Sequence, residues 1–252
     1  VTFVRAATVL SIVVLTAGCT SVIGGSVRPA PGLKPNPVLG KTIKQVLLDD
    51  RALSKILDQP FQGDPHLPPW FGGRDQLRRA YGPTPVVDCA GVTTLQEQTA
   101  YETASIKDVT GESWWHGTDS VKVISVAEGV VALPTAAEAD RLFATFSQQW
   151  GQCNGETLTF RGSRLSFTDE ITDVRVANSV LAATVTVTPN ISGMAGAAFP
   201  EARAIGIRAN CIVEVEVAFF SSRSPADQGS GNLDTSAVDI AHAMMDKVTA
   251  LS

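Results

Sequence analysis

From Thr157 onward the chain alternates. Residues 157–161, 171–176, 180–188, 202–208 and 211–219 place β-branched or apolar side chains at every second position. That period predicts five strands, each with one face toward a core. In the stretch Ile212-Val213-Glu214-Val215-Glu216-Val217 the alternation is cleanest. It predicts the valines inside and the two glutamates on a solvent-facing side. Upstream the period is helical. Ala139, Leu142, Phe143, Phe146 and Trp150 recur at three and four residues and predict one buried stripe. Thr135 and Glu138 open that helix with a capping-box spacing, and Cys153 lies just past its end. A last helix starts at Asp234 or Thr235 and carries Leu233, Ala237, Ile240, Ala241, Met244 and Val248 on its apolar face.

The first half of the chain is more broken. Asp49 or Asp50 can cap a short helix with Leu53, Ile56 and Leu57 on its apolar face, stopped by Pro60. Residues 58–73 (DQPFQGDPHLPPWFGG) read as loop, as do 83–85 and 221–232. Residues 75–81, ended by Gly82, and 93–101 read as helical, and 120–127 and 129–133 as β structure. Helices first, then a run of strands, then a terminal helix predict an α+β domain with an antiparallel sheet. There is no parallel βαβ rhythm and no internal repeat.

The N-terminus predicts the compartment. Arg5 precedes an uncharged, mostly apolar run over 6–17. It is shorter than the roughly 20 residues that span a bilayer and fits the apolar region of a signal peptide. The run ends at Leu15-Thr16-Ala17-Gly18-Cys19, which resembles the lipobox of bacterial lipoproteins, with Thr16 where Leu is commonest. The resemblance implies a diacylglycerol on Cys19 and cleavage before it. The competing expectation is an ordinary secretory leader that carries a Cys. Residues 20–41 hold Gly24, Gly25, Pro29, Pro31, Pro35 and Pro37 and read as a tether, reaching on the order of 25 Å if coil-like. The expected organisation is a signal peptide over 1–18, a lipidated Cys and tether over 19–44, and one domain over 45–252, with folded structure beginning near Val46.

Composition narrows the function classes. The chain is 44% hydrophobic and 18% charged, with a formal net charge of −5. An acidic chain without a basic stripe argues against nucleic acid, and against a polybasic hold on anionic lipid. The Cys19 lipid is therefore the membrane contact expected. Besides Cys19 there are Cys89, Cys153 and Cys211. Three thiols in an oxidising compartment predict one pair and one odd thiol, and the spacing alone leaves the pairing open.

Candidate chemistry is sparse. His66, His116 and His242 have no paired metal spacing, and no cofactor motif is present. There is no G-x-S-x-G elbow, and Ser192-Gly193-Met194-Ala195-Gly196 lacks the lysine of a P-loop. Cys211, among alternating apolar neighbours, reads as a buried inert thiol. Asp169 and Glu170 read as solvated carboxylates in a turn. Trp70, Phe71, Trp114 and Trp115 are candidate cleft aromatics, weighed against a role in covering the edges of the core.

One longer pattern carries more. Cys89-Ala90-Gly91, Tyr101, Trp115, Leu133-Pro134-Thr135-Ala136-Ala137-Glu138-Ala139 and Trp150-Gly151-Gln152-Cys153 follow in order. This resembles the mycobacterial PknH-like extracellular sensor domain family, across roughly 45–250, and similar domains occur in lipoproteins. The resemblance implies an α+β fold with a twisted antiparallel sheet, a concave cleft and no known catalysis. It also implies a Cys89–Cys153 disulfide. The family often has a second bridge, for which this chain lacks the cysteine, leaving Cys211 an orphan. The expectation is an envelope module that binds a small ligand or a protein partner. An envelope hydrolase with an unfamiliar site, or a structural lipoprotein acting through its acidic surface, are the competing expectations.

Overall fold

The structure, a computed structural model, describes residues 36–79, 89–161, 165–177, 179–191, 193–222 and 226–252. The leader, Cys19, most of the tether and the 83–85 loop lie outside the described residues.

Ten strands form one antiparallel sheet: β1 (Phe61–Gly63), β2 (Trp70–Gly72), β3 (Asp108–His116), β4 (Val123–Ala132), β5 (Thr157–Arg161), β6 (Leu165–Ala177), β7 (Val180–Ile191), β8 (Met194–Ala195), β9 (Phe199–Arg208) and β10 (Cys211–Phe219). Their order is β1-β3-β4-β10-β9-β7-β6-β5, with β2 beside β1 on the outer edge of β3 and β8 on β7. The helices are α1 (Asp50–Leu57), α2 (Ala90–Thr93), α3 (Ala136–Cys153) and α4 (Ser236–Leu251). The α+β architecture expected from the pattern is the one observed.

The sheet is buried on both faces. One face packs under α4 and the N-terminal segment, with Val126, Val130, Val213, Val215, Val217, Ile240 and Met244 in the core. The other packs under α3, with Val131, Leu142, Phe146, Trp150, Leu158, Ile171, Leu181, Ile205 and Ile212. Successive strand residues point to opposite faces, so Glu214 and Glu216 share the side of Ile212. The alternation in β10 is as expected, but the glutamate side is not a wet face. Glu214 is buried, because α2, α3 and their connections cover that side of the sheet.

The helix caps follow the sequence. Asp49 Oδ1 accepts the Ala52 N–H at 2.8 Å, and the Thr135 hydroxyl accepts the Glu138 N–H at 3.2 Å. α3 runs one residue further than expected and ends on Cys153. Elsewhere the first half departs from expectation. The folded body begins by Val38, whose N–H and C=O both pair with the buried Asn210 side chain. A 3-10 helix over Gly40–Val46 follows. Its Ile43 and Val46 are both buried, since residues three apart eclipse in that helix. The expected loop over 58–73 contains β1 and β2, because both find the edge of β3. Of the helix expected at 75–81, the described residues hold a single 3-10 turn, Arg74–Gln76, with Leu77 extended, and 80–82 lie outside the described residues. The helix expected at 93–101 is absent. α2 ends at Thr93, and Gln96 turns into the left-handed region at φ 55°.

Glu128 on β4 faces the α4 side and is fully buried. It accepts the Leu48 N–H at 2.9 Å and the Trp114 indole N–H at 3.0 Å. Burial pushes its carboxyl up to about 8, and the nearby Glu112 adds to this. The two hydrogen bonds and Lys247 oppose it without winning. A folded-state value above the unfolded one means the folded protein holds a proton that the unfolded chain releases. That stability is present at acid pH and lost as pH rises through about 8. Thermal melts from pH 5 to 9 should show Glu128→Gln lacking a component on the order of 4 kcal/mol that the parent loses over this range. Parallel curves for the two proteins would contradict this.

Candidate ligand cleft

The side of the sheet under α3 carries a band of charged groups. On this one face lie Asp169 on β6, Glu201 and Arg203 on β9, and Glu214 and Glu216 on β10, with Arg203 directly opposite Glu216. Arg203 is fully buried. Its Nη2 lies 3.3 Å from Glu214 Oε2 and its Nη1 lies 3.2 Å from Glu216 Oε2. Its Nε donates to the Val92 carbonyl at 2.8 Å, and Nη2 approaches the Gly91 carbonyl at 3.5 Å. One guanidinium therefore ties α2 to the sheet and neutralises part of the band.

Glu214 has two further donors. The Tyr101 hydroxyl reaches Oε1 at 2.5 Å and the Gln96 N–H reaches Oε2 at 3.0 Å. Burial still raises its carboxyl above the usual range. Arg203, Tyr101 and Gln96 pull in the other direction. Desolvation is thus the larger effect even inside this network, as expected for a buried ion pair.

Gln96 is placed by two glycines. Gly111 and Gly129 face each other across β3 and β4. A Cβ on Gly129 would lie 2.6 Å from the Gln96 amide, and one on Gly111 would lie 2.1 Å from the Trp70 ring. The sheet is smooth at this point, so Trp70 and Gln96 lie flat on it and bond to each other at 3.0 Å. Gln96 also donates to the Thr110 and Val130 carbonyls. The segment leading to it, Thr93–Leu95, becomes a roof.

Under that roof is an open pocket of about 180 Å³. Its acidic wall is Asp169, Glu201 and Glu216, and its apolar wall is Phe160, Phe167, Val187 and Phe199. Thr93, Thr94 and Leu95 close it above, and Arg78 stands at the rim. The Arg78 guanidinium lies 4.3 Å from the Trp70 ring centroid. Asp169 is 6% exposed, and its Oδ1 has no hydrogen-bond partner among the described residues. Burial pushes its carboxyl up to about 7 and the Glu216 charge adds to this, while a hydrogen bond with Thr93 opposes them. Glu201 is raised well above the usual range, by desolvation first and then by Glu216, with Arg203 pulling it back.

The placement of the candidate residues differs from expectation in two ways. Asp169 is not in a solvated turn. It sits inside β6, facing the core side. The four aromatics do not gather in one cleft, since each pair is adjacent in a strand and splits across the sheet. Trp70 packs with the core under α3, whereas Phe71 and Trp114 pack with the core under α4. Trp115 is 37% exposed, its ring centroid 5.3 Å from that of His116. The aromatics of the pocket are Phe160, Phe167 and Phe199. No motif marked them, because the wall they form exists only once β5, β6 and β9 are in register. Of the histidines, His66 is exposed in a turn and His116 Nδ1 is 2.8 Å from the Thr118 carbonyl. Among the described residues, no three His, Cys, Asp or Glu side chains converge as a metal site.

Cys89 and Cys153 are bonded, with Cα atoms 5.6 Å apart, joining the start of α2 to the end of α3. Cys211 is a free, buried thiol pushed up to about 12 by burial, then by Asp108.

The PknH-like extracellular domain family matches residues 38–247. The chain belongs to that family. As a PknH-like extracellular domain it shares its fold with the crystal structure of the extracellular domain of PknH from Mycobacterium tuberculosis. The two are 19% identical with a TM-score of 0.68, over 85% of this chain and 98% of the other. An uncharacterised protein from Mycobacterium smegmatis overlaps more loosely, at 9% identity and a TM-score of 0.42, over 82% of this chain and 96% of the other. No curated protein matches the chain. No described helix of this PknH-like domain is long and apolar enough to cross a membrane.

Proposed function

We propose that this chain is a lipid-anchored, sensor-like module of the cell envelope that binds a ligand in the cleft beneath Thr93–Leu95 and performs no chemistry on it. The observation that carries the reading is Asp169, a buried carboxyl that lines the pocket and has one oxygen unpartnered. Buried polar groups are nearly always satisfied, and an exception in a pocket marks a place for a ligand. The family supports an extracellular setting. A leader over 1–18, a lipid on Cys19 and a tether supply the anchor. Native mass spectrometry of the full chain after incubation with envelope extract tests the cleft. A bound species that disappears in Thr94→Trp, with the melting temperature unchanged, supports the reading. No bound species counts against it. Cys19→Ser should move the protein from the membrane fraction to the soluble one, and continued membrane association would overturn the anchor.

One observation favours a second reading, an envelope hydrolase. A carboxyl held near 7 in a cleft is what a general acid requires. Turnover of an envelope glycan or ester that Asp169→Asn abolishes would favour it over binding alone.

A further inference from the structure

The cleft holds more acid than base. Arg203 commits its guanidinium to Glu214, Glu216 and the carbonyls of α2. Arg78, at the rim, lies over the Trp70 ring. Among the described residues neither Asp169 nor Glu201 belongs to an ion pair. An acidic cluster alone would mean little. Here a second observation stands beside it, the unpartnered Oδ1 of Asp169, a residue only 6% exposed that lines the pocket. A hydrogen-bond donor would satisfy this oxygen, and one that also carries positive charge would offset the carboxylates that have no ion pair.

The shape of the pocket narrows which cation fits. The acidic groups do not converge as a metal site, among the described residues. A hard divalent ion needs six or more oxygens close around it. The opposite wall is aromatic, with Phe160, Phe167 and Phe199. Aromatic faces attract cations and shelter a hydrocarbon stem. At about 180 Å³ the space is below that of drug-sized sites, so the guest is small, or is the end of something longer.

We propose that this pocket takes a primary alkylammonium group, its nitrogen against Asp169 and Glu201 and its carbon stem along the three phenylalanines. The proposal rests on the cleft being a ligand site. It names the chemistry the cleft selects. The nitrogen donates to the Asp169 carboxylate and places a positive charge beside Glu201, which has no ion-pair partner among the described residues. Arg78 disfavours a second positive charge near the mouth, so one ammonium enters and the rest of the molecule faces solvent. Affinity should rise with pH. Asp169 holds a proton up to about pH 7 and must release it to an incoming ammonium. Glu201, also raised, acts in the same direction. Glu216 and Glu214 are paired with Arg203.

The test is calorimetric titration of the full chain with 1-aminopentane at pH 6 and pH 8. The expected result is one saturable site, tighter at pH 8, with no heat from 1-pentanol or pentanoate. Asp169→Asn removes the charge at constant shape and should weaken binding about tenfold or more. Glu201→Gln, at a partly exposed position, is the second variant should the first not fold. Amine binding that both variants leave unchanged overturns the proposal, as does equal binding of 1-pentanol. If the amine fails but an extract species binds and is lost in Thr94→Trp, the alkylammonium is wrong and the cleft stands. If neither binds, both readings fall.

Discussion

Replacing Arg203 with methionine should destabilise the protein by about 3–5 kcal/mol at pH 7, the cost of leaving a buried charge without its partner. Arg203 is fully buried and reaches Glu214, Glu216 and the carbonyls of α2 at once. Without it Glu214 keeps the Tyr101 and Gln96 donors but loses its counter-charge. Glu216 loses its ion-pair partner as well, and Glu201 the nearby charge that pulls its carboxyl down. Arg203→Met combined with Glu214→Gln should recover a large part of the loss, because a neutral amide still accepts hydrogen bonds and needs no cation. The defect of the single variant should also shrink as pH falls toward 4.5. Its carboxyls have folded-state values above the unfolded ones, so acid favours the folded form. Urea unfolding of the two variants at pH 5 and pH 7 decides the matter. Equal losses in both, with no pH dependence, would show that Arg203 acts by packing alone.

Removing the Cys89–Cys153 bridge should cost about 4 kcal/mol. The two cysteines are 64 residues apart, and closing a loop of that length removes much of the unfolded chain's freedom. For a domain of this size that corresponds to a fall in melting temperature of roughly 8–16 °C. Differential scanning of the double Cys89→Ser, Cys153→Ser variant measures it. The bridge also holds the first turn of α2, and so the roof of the pocket. Hydrogen exchange at the Gln96 N–H should accelerate in the same variant. Cys211 does not compete for the bridge. Its thiol is buried and pushed up to about 12, so almost none is thiolate at neutral pH. A peptide map without reduction that joined Cys211 to either partner would contradict this account.

How much of this was legible beforehand depends on whether a feature is local. The period of two from Thr157 onward marked out five strands, and two of them, Thr157–Arg161 and Cys211–Phe219, have the predicted limits. α1, α3 and α4 were legible because an apolar stripe recurring every three or four residues is a strong signal, and Asp49 and Thr135 cap where their side chains suggest. The Cys89–Cys153 bridge came from the family pattern, since three cysteines alone permit any pairing. By contrast β1 and β2 are three residues each, too short for any periodicity, and exist only because β3 offers an edge. β3 itself was hidden because Gly111 and Ser113 stand where apolar residues are expected.

The sequence by itself determined the fold class, the main helices and the alternation that sorts β10 into two faces. It did so because these depend on neighbours within a few residues. Only the tertiary structure decided that the glutamate face of β10 is covered, that Arg203 sits beneath it, and that Asp169 opens into a pocket walled by phenylalanines from three strands. The reason is that solvation belongs to the assembled molecule. A carboxylate in a strand reads the same whether water or another layer lies above it, and the chain from 89 to 101 that forms that layer is irregular, held by hydrogen bonds to residues more than a hundred positions away.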